Sequence, residues 1–215
     1  MQAAVRLRPE AGEAHLARAE LLYRGYLDYD GALAELAIAR QTLPNEPSVS
    51  ELAGYIARRR GNQEDGLHHL ERALQLDPRN FFTLQQVALS YYGLRRYREA
   101  AAALDQALEI IPDDVETQAT RALLELDSRA DPRPLHRVID SIRAKGAAQI
   151  ERVADVWLIC ALGERDIRAA EAALSALGDN TFGNDAMQFH YAFVQGLIAR
   201  MANDQAKARA AFTAA

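Results

Sequence analysis

Residues Phe81 to Pro112 read FFTLQQVALSYYGLRRYREAAAALDQALEIIP, and the reading of this stretch decides the fold. Leu84, Val87, Ala88 and Tyr91 stand at i, i+3, i+4 and i+7, which places them on one face of an α-helix. Tyr97, Ala100, Leu104 and Ala107 form a second stripe of the same kind. Gly93 to Arg96 between them is long enough only for a tight turn between antiparallel helices. Pro112 closes the stretch, because proline cannot extend a helix. The segment is a helical hairpin.

The hairpin recurs. Pro9, Pro44, Pro78 and Pro112 are separated by 35, 34 and 34 residues. Ala32, Gly66 and Ala100 keep a step of 34, as do Ala39, Ala73 and Ala107, and Gly54, Ala88 and Ala122. Leu36, Leu70 and Leu104 follow the same step, with Val138 expected to extend it. Four ladders with a constant step of 34, beside the proline ladder with its one step of 35, indicate stacked copies of one supersecondary unit. Asp28, Asn62, Asp166 and Asp204 precede the second stripe of their copies, where a side-chain oxygen caps the orphan amides of a helix start.

A hairpin of this period, with small residues where the helices cross, Tyr97 opening the second helix and a closing Pro112, resembles the tetratricopeptide repeat. The resemblance implies an all-α, right-handed superhelical solenoid of antiparallel helix pairs, about six repeats in one domain spanning 1–215. Residues 1–9 read as the tail of a preceding repeat, then 12–44, 47–78, 81–112 and 115–145 as repeats one to four. Residues 147–178 and 184–215 read as divergent repeats five and six. Repeat one carries one extra residue near Arg24 to Leu27, and Asp131 is expected to cap the second helix of repeat four. Neither end has a polar capping helix, which suggests a segment of a longer array. The arginine- and alanine-rich composition suggests a bacterial source.

Charge and composition exclude several functions. A net charge of −5 argues against nucleic-acid binding by bulk basic charge. One cysteine, Cys160, excludes an internal disulfide and a multi-cysteine metal site. No stretch has the length and apolarity of a membrane segment, and no secretion signal is visible, so a cytoplasmic location is expected. His68 and His69 are adjacent and point about 100° apart on a helix, so they cannot share an ion. His15, His136 and His190 fall in different repeats, and Cys160 sits in the apolar run VWLICA, where a buried inert thiol is expected. No catalytic constellation, cofactor motif or metal motif stands out, and a non-enzymatic protein is expected.

What remains is surface. The resemblance implies that first helices line a concave groove. Register then gives Glu20, Tyr23 and Arg24 in repeat one, and Glu51, Tyr55, Arg58 and Arg59 in repeat two. Phe82, Gln85, Leu89 and Tyr92 follow in repeat three, with Ala119, Leu123 and Asp127 in repeat four. Tyrosine and arginine are the types enriched at binding hot spots. The family's carboxylate-clamp subclass needs Lys and Asn where Leu16, Glu20 and Leu52 stand, so that mode is not expected. The function these residues point to is a scaffold for a peptide or partner domain. The alternative is a regulatory arm of a larger bacterial kinase or cyclase, and self-association through the two ends is a further expectation.

Overall fold

The computed structural model describes residues 11–177, 182–184 and 187–215. The expected tail at 1–9 and the end of repeat five at Gly178 lie outside these residues. The chain divides into two compact units, 1–112 and 113–215.

The first unit contains three helical hairpins. Helices α1 (Gly12–Leu21) and α2 (Tyr29–Thr42) form the first, α3 (Pro47–Arg59) and α4 (Gln63–Leu76) the second, and α5 (Phe81–Gly93) and α6 (Tyr97–Ile110) the third. The laddered residues are the core: Ala32, Ala39, Leu70, Ala100 and Ala107 are fully buried, with Leu36 and Leu104 close to it. Small residues at the crossings let backbones meet. A methyl group at Gly54 would lie 2.9 Å from the Gly66 carbonyl oxygen, so α3 and α4 touch main chain to main chain. Asp28 and Asn62 cap α2 and α4 through the amides of Gly31 (2.9 Å) and Asp65 (3.4 Å). The extra residue of repeat one is absorbed as a π-helical turn, Leu22–Tyr26, which widens the end of α1 instead of shifting the turn that follows.

Helices α7 (Val115–Arg129) and α8 (Arg133–Ala144) open the second unit. A short α9 (Ala147–Glu151) and α10 (Ala154–Glu164) follow, α10 pairing with α11 (Ile167–Leu177). After a small antiparallel ladder, β1 (Phe182–Asn184) with β2 (Met187–Phe189), come α12 (Tyr191–Met201) and α13 (Gln205–Ala214). The sixth pair thus begins at Tyr191, whereas register placed its repeat at 184. Asp166 and Asp204 cap α11 and α13 through Ala169 and Lys207. Repeat four departs from expectation by one residue. Val138 is half-buried, and Leu135, Ile139 and Ile142 fill the core instead. The slip arises in the turn before α8, which falls at Ala130, 35 residues after its counterpart Arg95. Asp131 still accepts from the Arg133 amide at 3.1 Å, but Pro132 occupies the cap position and α8 starts one residue later than expected.

One backbone feature links all six hairpins. Leu27, Gly61, Arg95, Ala130, Arg165 and Asn203 each precede a second helix, and each has φ between 53° and 83°. This left-handed residue reverses the chain, and only Gly61 and Asn203 are types that adopt it readily. The described residues thus form an all-α arrangement of paired antiparallel helices, as the periodicity requires. No described helix is long and apolar enough to cross a membrane.

Candidate functional site

In the first unit the first helices α1, α3 and α5 present a common face, and the structure brings part of the expected stripe together there. Tyr23 and Arg24 sit in the π-helical turn, with the Arg24 guanidinium 6.0 Å from the Tyr23 ring centroid. Arg58 lies over Tyr55 at 5.7 Å. Both distances suit cation–π attraction. Tyr55 is the hub: burial first, then the Glu51 carboxylate, push its hydroxyl up to about 12, opposed by Arg58 and Arg24. Glu20 is half-buried on α1.

Two hydrogen bonds tie α3 to α5 along this face. Thr83 Oγ1 donates to Glu51 Oε1 at 2.5 Å, and Arg58 Nη2 donates to Gln86 Oε1 at 2.7 Å. Arg58 is therefore half-buried and engaged in holding neighbouring repeats, while Arg59, one residue and about 100° further round the helix, is exposed. Register alone treated them as one cationic surface; their environments differ. On α5 the exposed positions are apolar: Phe82 is 73% exposed, Leu89 46% and Tyr92 37%. Gln85 lies half-buried between them, and the Tyr92 ring meets Tyr97 edge-on at 5.8 Å. The face thus combines cationic groups on α1 and α3 with apolar groups on α5.

A groove of about 400 Å³ lies among α4, α5 and α6. Two of its polar side chains pair with each other. Tyr91 Oη donates to Glu71 at 2.5 Å, and Arg96 lies 4.6 Å over the Tyr91 ring. Its apolar walls include Leu84, Val87 and Ala103, which are core residues.

The repeat-four positions Ala119, Leu123 and Asp127 belong to the second unit, where Ala119 is fully buried and so presents no binding surface. Histidines divide by environment. His15 is buried with Nδ1 2.6 Å from Glu35, an internal pair. His69 is 3.8 Å from Asp65, and burial lowers its pKa. His136, which sequence position separates from other reactive groups, is brought against Cys160 and Glu164. Hydrogen bonding to Glu164 raises the His136 pKa, and burial pushes the Cys160 thiol up to about 12. The signal for this cluster was present as two i, i+4 pairs, His136/Asp140 and Cys160/Glu164, but no local spacing joins them.

The sequence matches no protein-family model and no curated protein. Solved structures are similar in fold. A tetratricopeptide repeat protein from Parabacteroides merdae is 18% identical with a TM-score of 0.72, over 99% of this chain and 82% of its own. PilW, a type IV pilus biogenesis factor, is 14% identical with a TM-score of 0.73, over 94% and 91%. Pseudomonas aeruginosa PilF is 18% identical with a TM-score of 0.69, over 96% and 91%. At these identities the likeness establishes a tetratricopeptide-type helical solenoid fold.

Proposed function

We propose that this tetratricopeptide-type chain is a non-enzymatic interaction scaffold, and that the first-helix face of residues 11–112 takes an extended peptide segment carrying both carboxylate and apolar side chains. The observation that supports this reading most is the exposed row Phe82, Leu89 and Tyr92 beside the Tyr23/Arg24/Tyr55/Arg58 cluster. An apolar side chain of the partner gains from covering Phe82 and Leu89, at about 25 cal/mol per Å² of apolar surface removed from water. Arg24 is exposed and offers a guanidinium fork to a carboxylate. Such a face is built by packed helices before any partner arrives, so little ordering cost falls on the receptor.

Selection of peptides from a random display library tests this directly. Enrichment of Asp or Glu spaced from Leu, Ile or Phe is expected, with binding weakened at least tenfold by Phe82→Ala with Leu89→Ala and by Arg24→Glu. A library that yields no such enrichment, or binders indifferent to these substitutions, rejects this face as the site.

A further inference from the structure

We propose that His136, Cys160 and Glu164 form a three-ligand site for a divalent transition metal, with zinc the ion best suited to its donors. All three lie in the second unit, His136 on α8 and the other two on α10. Each helix contributes an i, i+4 pair, His136 with Asp140 and Cys160 with Glu164, and that spacing sets both members on one helix face. One donor atom from each of His136, Cys160 and Glu164 lies within 4.8 Å of the others, the one such group of His, Cys, Asp or Glu side chains among the described residues.

The geometry needs little adjustment. Donor bonds of about 2.0–2.3 Å around a tetrahedral zinc place the donors roughly 3.5 Å apart. His136 Nδ1 is now 2.9 Å from Glu164 Oε2, so that edge opens by about half an ångström while the wider edges contract by about an ångström. Side-chain torsions of Glu164 and His136 supply such movements, because the His136 side chain is 52% exposed and Glu164 is solvated on one side. The other imidazole nitrogen, Nε2, is 3.2 Å from Asp140 Oδ2. A carboxylate there holds a proton on Nε2, so that Nδ1 becomes a ligand once it gives up the proton it shares with Glu164, the arrangement usual behind metal-bound histidine.

Donor type and field agree. A thiolate, an imidazole and a carboxylate together favour zinc over the hard cations calcium and magnesium. Asp140, Glu164 and Asp166 all act on His136 electrostatically, which makes the neighbourhood anionic. Of the guanidiniums around the cluster, Arg143 is engaged by Asp140 at 3.3 Å and by the Trp157 ring at 4.9 Å, and Arg133, which with Arg137 borders His136 and Glu164 on the other flank, is engaged by Asp131 at 2.8 Å. A cavity of about 120 Å³ borders His136, Cys160 and Glu164, space enough for a water to complete four-coordination. On binding, the metal takes the lone pairs of Sγ, Nδ1 and a carboxylate oxygen, and the thiol proton and the Nδ1 proton shared with Glu164 both leave to solvent.

Cobalt(II) titration of the chelator-treated full chain tests the site, because cobalt reports a thiolate ligand by a near-ultraviolet charge-transfer band. One equivalent should produce the band, and added zinc should remove it. His136→Ala and Glu164→Gln should each weaken binding at least tenfold, and Cys160→Ser should abolish the band. Helical circular dichroism checks that each variant is folded, and the exposed His136 variant keeps the test valid if Cys160→Ser is not. Absence of the band in the unmodified chain overturns the proposal. So does a band of unchanged affinity in folded His136→Ala.

Discussion

Adding a single methyl group should have opposite effects at two glycines of this chain. At Gly54 the new Cβ would sit 2.9 Å from the Gly66 carbonyl oxygen and 2.9 Å from Leu70 Cγ, against 3.4 Å or more for ordinary contact. The oxygen is main chain, so α3 and α4 must part by about half an ångström along their crossing. Overpacking of this kind costs about 1–3 kcal/mol, and replacing glycine by alanine inside a helix returns about 0.5–1 kcal/mol. Gly54→Ala should therefore lose about 1–2 kcal/mol net. Gly163, near the end of α10, has nothing within 4 Å of its Cβ position. Gly163→Ala there should gain the helix preference alone, about 0.5–1 kcal/mol. Urea unfolding followed by far-ultraviolet circular dichroism reads both. With a slope of about 2 kcal/mol per molar, the midpoint should fall by about 0.5–1 M for Gly54→Ala and rise by about 0.3–0.5 M for Gly163→Ala. A Gly54→Ala protein as stable as the parent would refute the close backbone crossing.

Other expectations follow from particular residues. Leu27→Gly and Arg165→Gly should each stabilise by about 0.5–1 kcal/mol in the same assay, since both residues hold a left-handed backbone that glycine adopts without steric cost. Arg58→Glu should cost about 1–3 kcal/mol, because it removes the bond to Gln86, whereas Arg59→Glu on the exposed side should stay within about 0.5 kcal/mol of the parent. Tyr55 has a folded-state pKa of about 12, above its usual 10, so the protonated phenol is favoured by folding and its contribution is complete below pH 10. That contribution should fade as pH rises from about 10 to about 12, by no more than about 2 kcal/mol after allowance for screening. Tyr55→Phe should flatten that part of the stability–pH curve, and an equal slope in both proteins would show that Tyr55 is not the group responsible.

The hairpin period was legible because each crossing imposes a small residue at a fixed distance from the last. Ala32, Gly66 and Ala100 are small for the reason that Gly54 and Gly66 touch backbone to backbone. Where length changed, the same reasoning slipped. Val138 and Ile139 are both β-branched and apolar, so composition does not reveal which one faces inward once the turn has moved to Ala130. Register named Tyr23, Arg24, Tyr55 and Arg58 individually but could not show that Arg58 is spent on Gln86. The cluster of His136 with Cys160 was illegible for a different reason. It joins residues 24 positions apart on two helices, α8 and α10, whose facing is decided by packing around the short α9 rather than by any local spacing.

The recurring left-handed turn residue also measures distance. From Leu27 to Pro44, from Gly61 to Pro78 and from Arg95 to Pro112 the separation is 17 each time. In the first unit the added residue falls before that turn, in the π-helical bulge of repeat one. The second helix there, 14 residues in each hairpin, therefore works as a ruler of fixed length and the first as the adjustable member. An evolving array of this kind can gain or lose single residues at the ends of its first helices while its stacking pitch is preserved. Variation in length is thereby directed to the helices that carry Tyr23 and Arg24, so the surface they present can drift without the scaffold having to be rebuilt.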